Sequence, residues 1–378
     1  MEREVRYCTT DDGVRIAYCV EGEGPPLLWC PIFIESFSLT DRHPVYGPLL
    51  AELSQRRMVV RYDARGTGLS ESEVSDFSCQ ALAMDIGAVA NAAGLQLFAT
   101  WANAMSGPRA IAYAASNVAS VSHLVLYDTF TRAEDAFPIA AATSLADLAR
   151  SNWKLAAQAI PELAARADIE DPAERQFRAE ANVALGRIYE ESAGGDVAAA
   201  MIQEPYESWD VSELLPRVRC PVLVVHHLGN PLFPIDVANE TAAALPNATL
   251  VTLEGSSPSP VGDANFSGGS LLPPAIDRFL PGGAPDSGAV QSLAAEGHPR
   301  ESPSTTNEES MSLTARETEV LSLLAGGYSG KEIAAELTVS LSTVQRHIAN
   351  VYAKIGARGR VEAAAYAIRH GLVRPRDS

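Results

Sequence analysis

The chain has 378 residues, 47% of them hydrophobic, and 29 Lys/Arg stand against 47 Asp/Glu for a formal net charge of −18. That length predicts two or three domains with a substantial core, and the absence of an 18-residue apolar run or a signal-peptide pattern predicts a cytoplasmic protein that does not enter a membrane. The five cysteines (Cys8, Cys19, Cys30, Cys79, Cys220) are scattered, odd in number and without metal-ligand spacing, which argues against a disulfide framework or a metal centre and for reduced, mostly buried thiols.

In chain order, the first 280 residues alternate short apolar runs with helical stretches. LLWCPI (27–32), MVVRYD (58–63), LQLFATWA (95–102), HLVLYD (123–128), PVLVVHH (221–227) and ATLVTLE (248–254) read as strands, with Ala-rich helical patterns such as 80–93 and 107–116 between them. Buried strands linked by helices predict an α/β fold with a mostly parallel sheet covered on both faces. Residues 130–215 break the rhythm: they are helical and Ala-rich, carry two Trp and two Tyr, and read as a cap inserted over the carboxyl edge of the sheet. Residues 281–312 are rich in Pro, Gly, Ser and Glu without apolar periodicity and read as a flexible linker. Residues 313–378 form the last domain. In them Thr314, with Glu317 three residues later, caps a first helix that Gly326-Gly327 stops; Ser329 caps a second and Ser340 a third. Two short helices, a tight turn and a third helix predict a helix-turn-helix.

Two resemblances follow from these residues. RYDARGTGLS (61–70) and PVLVVHH followed by Pro234 resemble the α/β-hydrolase family over about residues 1–280. That family needs a serine on a strained strand-to-helix elbow, then an acid, then a histidine. Here the elbow falls at Ala102-Asn103-Ala104-Met105-Ser106, so the nucleophile position holds Ala104; the acid position holds Asn230, and the histidine position falls near Pro258. With all three roles absent together, the resemblance implies a non-catalytic relative that needs no cofactor. The crevice at the sheet's carboxyl edge remains the expected binding place. Its expected lining is Phe33, Trp101, Asn103, Ala104, Met105, Trp153, Asn230 and Phe233, suited to a small, largely apolar molecule. The alternative is an esterase-like hydrolase improvising with Ser106 and with His226 or His227.

The segment LTARETEVL…KEIAAEL…SLSTVQRH…KIGARGRVEA resembles the LuxR-type (NarL/FixJ-type) DNA-binding domain. The third helix would lie in the major groove, with Gln345, Arg346 and Ala349 on one outward face towards base edges. By resemblance Lys331, Ser342, Thr343 and Lys354 would meet phosphates. Family members often carry Lys or Arg where Gln345 stands. From Leu313 onwards nine Lys/Arg face six Asp/Glu, so the basic part is the one that would touch phosphate. The acidic remainder would repel DNA, which predicts a homodimer or higher oligomer on a paired site.

Taken together, the sequence predicts a ligand-responsive transcriptional regulator. Its partners would be a double-stranded operator, a small-molecule effector and RNA polymerase. A third possibility leaves the hydrolase-like part as a docking or dimerisation platform alone.

Overall fold

The computed structural model describes residues 4–135, 138–163, 172–254, 272–282, 313–357 and 359–373. The linker expected over 281–312 falls almost wholly outside them, as does Pro258.

The first elements are β1 (Arg6–Thr9), β2 (Arg15–Glu21), β3 (Pro26–Trp29), α1 (Phe37–Thr40), α2 (Tyr46–Ser54), β4 (Met58–Tyr62), α3 (Cys79–Ala92), β5 (Phe98–Asn103), α4 (Gly107–Ser116) and β6 (Val121–Tyr127). The cap follows as α5 (Ile139–Ser151), α6 (Trp153–Leu163), α7 (Pro172–Ser192), α8 (Gly195–Gln203) and α9 (Pro205–Ser208). Then come β7 (Val222–His227), α10 (Ile235–Ala244), β8 (Ala248–Leu253) and α11 (Pro274–Phe279). The last helices are α12 (Ala315–Ala325), α13 (Gly330–Glu336), α14 (Leu341–Ile355) and α15 (Arg360–Arg369).

The sheet has eight strands in the order β1-β2-β4-β3-β5-β6-β7-β8. From β4 to β8 every pairing is parallel, and β1 and β2 add an antiparallel edge. All six strands expected from the apolar runs are present within a few residues. Strands β5 and β7 are buried along their whole length, because helices cover both faces. One face packs α3, α4 and α10 through Leu82, Ile86, Ile111 and Val237. The other packs α2 and α11 through Leu49, Leu53 and Ile276, and its apolar cluster continues into the cap.

The D-x-R-G-x-G turn has a local explanation. Asp63 accepts hydrogen bonds from the Phe37 and Leu69 amides, each at 2.7 Å, and from Ser36 Oγ at 2.9 Å. Arg65 bridges Asp85 and Asp12. Gly68 sits at φ +56, and a Cβ there would collide with the Asp63 carboxylate, so no side chain fits. The turn therefore ties the loop after β3 to the loop after β4.

Helices α12, α13 and α14 start where the caps predict. The amides of Glu317, Glu332 and Thr343 donate to Thr314, Ser329 and Ser340 respectively. Val320, Leu321, Ile333, Val344 and Val351 are buried between these helices. Arg360 of α15 donates to the carbonyls of Leu324 and Tyr328 and so ties α15 to the end of α12 and the turn after it.

Candidate DNA interface and hydrolase-like crevice

The turn at Ala104 has an unusual backbone. Strand β5 ends at Asn103, and Ala104 adopts φ +46, a left-handed conformation that an L-residue with a Cβ adopts only under strain. The Ala104 carbonyl accepts from Thr129 Oγ1 at 2.6 Å, which holds the turn. Ser106 is fully buried; its hydroxyl donates to the Asn103 carbonyl and accepts from the Asn103 amide, both at 2.8 Å. That hydroxyl is committed to the strand end.

The two strand-end histidines differ. His226 Nε2 lies 2.9 Å from the Phe233 carbonyl. His227 Nδ1 lies 2.6 Å from Asp128 Oδ2, and the His227 amide donates to Asp128 Oδ1 at 2.9 Å. Asp128 follows β6, is fully buried and also adopts a positive φ, +43. An acid–histidine pair therefore stands one strand away from the expected acid position. Sequence reasoning missed Asp128, although an acid at the carboxyl end of a buried strand was a usable signal. At the expected position, Asn230 Oδ1 accepts from the Leu232 and Phe233 amides, a turn-forming role typical of Asn.

The eight residues assigned to the lining come from several elements, and Phe33, Trp101, Ala104, Met105 and Trp153 share one apolar cluster. Asn103, Ala104 and Met105 make the elbow, and Ala104 and Met105 touch both apolar clusters. Asn230 and Phe233 share one turn, with Phe233 against Phe130. Phe33 packs edge-on to Tyr189 of the cap, with ring centroids 5.9 Å apart. Trp101 is fully buried in a stack between Trp29 (5.1 Å) and Tyr127 (6.0 Å), which makes its ring part of the sheet's core. Trp153 opens α6 and lies against Gly195 at the start of α8.

A second residue missed from sequence is Glu35, in the loop after β3. It is buried, and Oε1 accepts from the Ile32 amide at 2.6 Å. Burial raises its carboxyl to about 7, and Oε2 has no hydrogen-bond partner among the described residues. Its charge is felt by the buried Tyr189 phenol of the cap. Nothing in the local sequence marks Glu35 as buried.

On the C-terminal helices, Gln345, Arg346 and Ala349 are exposed together on α14, and Lys331 is exposed on α13. Thr343 is half-buried, with Oγ1 2.8 Å from Ser340 Oγ. The Ser342 side chain lies outside the described residues. Lys354 donates to Glu317 Oε2 at 2.7 Å, so its ammonium ties α14 to α12 inside the domain. That hydrogen bond and those from Thr314 hold the Glu317 carboxyl down at about 2.

Among the described residues no helix is long and apolar enough to cross a membrane. Residues 311–367 match the luxR family of bacterial regulatory proteins. The response regulator protein VraR of Staphylococcus aureus and of Staphylococcus saprophyticus are each 41% identical to this chain over 61 residues, which is 16% of this chain. The match spans only 29% of the length of those relatives. The larger part of the chain is similar in fold to an esterase from Thermogutta terrifontis, with a TM-score of 0.55 and 22% identity over 69% of this chain and 92% of that one. An enol-lactonase from Burkholderia xenovorans superposes with a TM-score of 0.57 and 21% identity, covering 69% of this chain and 96% of the other. Residues 311–367 are thus a LuxR-type helix-turn-helix DNA-binding domain, carried by a chain whose larger part has the α/β-hydrolase fold.

Proposed function

We propose that this chain is a one-component transcriptional regulator whose hydrolase-like part, residues 1–280, holds a small, largely apolar molecule without consuming it. Residues 313–378 then bind an operator as a homodimer, joined to the sensor by a linker over 281–312. The effector shifts the population of sensor arrangements and so the affinity for DNA. The single observation that carries this reading is Ala104. The elbow retains its strained backbone, φ +46, while the side chain is a methyl that cannot attack a carbonyl. A binding crevice survives such a substitution, and covalent catalysis through that position does not. The base-reading face would be Gln345, Arg346 and Ala349, with Lys331 and Thr343 towards phosphate. The protein would act in the cytoplasm, where RNA polymerase is a further partner.

The test is a thermal-melt screen of the chain against aromatic and aliphatic acids, esters, phenols and lactones. A ligand at about 100 times its dissociation constant adds roughly 2.7 kcal/mol. The reading predicts an upward shift with the compound recovered intact, and changed operator affinity at fixed salt. Unchanged affinity with the crevice filled would sink it.

The Asp128–His227 pair supports a second reading, an esterase-like hydrolase in which His227 takes a proton from water rather than from a serine. Turnover of activated esters that His227→Ala abolishes would favour it.

A further inference from the structure

Helix α15 does more than complete the DNA-binding domain. It packs against α6 and α5 of the cap, and one continuous apolar cluster runs from the cap into α12–α15. Small side chains allow the close approach: Ala364 and Ala367 on α15, Ala146 and Ala149 on α5 and Ala156 on α6 are all buried in that cluster. The turn at Gly327, after α12, lies over Leu148, Ser151 and Asn152 at the end of α5.

One polar contact gives this interface direction. Arg369, the last residue of α15, donates from Nη1 to the Glu162 carbonyl at 3.1 Å and to the Leu163 carbonyl at 3.4 Å. Both carbonyls belong to α6 of the cap. The half-buried guanidinium thus ties α15 to the cap by hydrogen bonds from a charged donor. Arg360, at the other end of α15, donates to the Leu324 and Tyr328 carbonyls inside the DNA-binding domain. The helix therefore holds backbone carbonyls in each part of the chain. In the same arrangement Gln345, Arg346, Ala349 and Lys331 stay exposed, so docking does not cover the base-reading face.

We propose that the cap is the docking surface for this chain's own DNA-binding domain, latched by Arg369 on the Glu162 and Leu163 carbonyls of α6, and that DNA is bound with the latch closed. The cap would then position the recognition helix rather than mask it. This rests on the α12–α15 domain binding DNA and does not require that a ligand fill the crevice.

The test is hydrogen exchange on the full chain, wild type and Arg369→Ala, with and without a duplex selected from a random-sequence library by the wild-type chain. Losing hydrogen bonds from a charged donor should speed exchange in α15 and the last turns of α6 by about tenfold to a hundredfold, while α12–α14 stay protected. Arg369→Lys, which keeps charge but not the two-carbonyl reach, should fall between. Unchanged exchange in Arg369→Ala overturns the latch. Loss of protection at α6 in the wild type on adding the duplex overturns the closed bound state. If no duplex is selected, the DNA-binding reading fails, whereas the comparison of wild type with Arg369→Ala still decides the latch.

Discussion

Replacing Ala104 with glycine tests whether the elbow is strained. At φ +46 an alanine carries a penalty of about 1–2 kcal/mol that glycine does not. Against this, glycine adds unfolded-state freedom of about 0.5–1 kcal/mol, and a half-buried methyl contributes about 0.4 kcal/mol of burial. The terms nearly cancel, so Ala104→Gly should be neutral or stabilising by up to about 1 kcal/mol. Ala112 is the control, a buried alanine in the middle of α4. There glycine costs about 1 kcal/mol of helix propensity and about 0.8 kcal/mol of burial. The two variants should therefore differ by about 2 kcal/mol. Urea unfolding followed by tryptophan fluorescence measures this directly. All four tryptophans (Trp29, Trp101, Trp153, Trp209) lie in the hydrolase-like part, so the signal reports that part and not the DNA-binding helices. Equal losses at positions 104 and 112 would refute strain at the elbow.

Arg346→Ala should cost about 1–3 kcal/mol at one base position and relax specificity there, read by affinity for operator variants at constant salt; uniform weakening across all sequences would instead assign Arg346 to phosphate. Asp128→Ala leaves the His227 amide and Nδ1 without their acceptor in a fully buried site and should destabilise by about 3–5 kcal/mol in the same fluorescence assay; a loss below about 1 kcal/mol would show the pair to be unimportant. Glu35 has a folded pKa raised to about 7 by burial, partly opposed by the Ile32 amide, Arg61 and Arg109. Its contribution is therefore fully present below its ordinary value and is lost as pH rises through about 7, a fall of about 3 kcal/mol at most. Glu35→Gln should flatten the decline in urea midpoint between pH 5 and pH 8, and an unaltered slope would contradict the assignment.

The DNA-binding helices were the most legible part of the chain. Their starts depend on contacts three residues apart, such as Thr314 with Glu317 and Ser340 with Thr343, and local chemistry of this kind is written in consecutive letters. The sheet was legible for a related reason: strands buried on both faces need uninterrupted apolar runs. The edge strand β1 escaped notice because it is short and mostly exposed, whereas β2 was missed although its run from Ile16 to Val20 is apolar and largely buried. Ala104 was placed at the elbow from the strand and helix on either side of it, and only its backbone angle required coordinates.

What sequence alone determined is the class of each part: an α/β-hydrolase-like body, and a LuxR-type DNA-binding domain behind it. Tertiary structure decided the contacts between distant segments. Asp128 meets His227 across 99 residues because β6 and β7 are neighbours in the sheet. Glu35 becomes a buried acid only because the cap and the turn at Asp63 enclose its loop. Arg369 reaches the Glu162 carbonyl of α6 across 207 residues, and nothing near either residue in the chain announces it. Helix caps and buried strands are governed by near neighbours, whereas burial of a charge and the bonding of one helix to another depend on which surfaces the whole fold brings together.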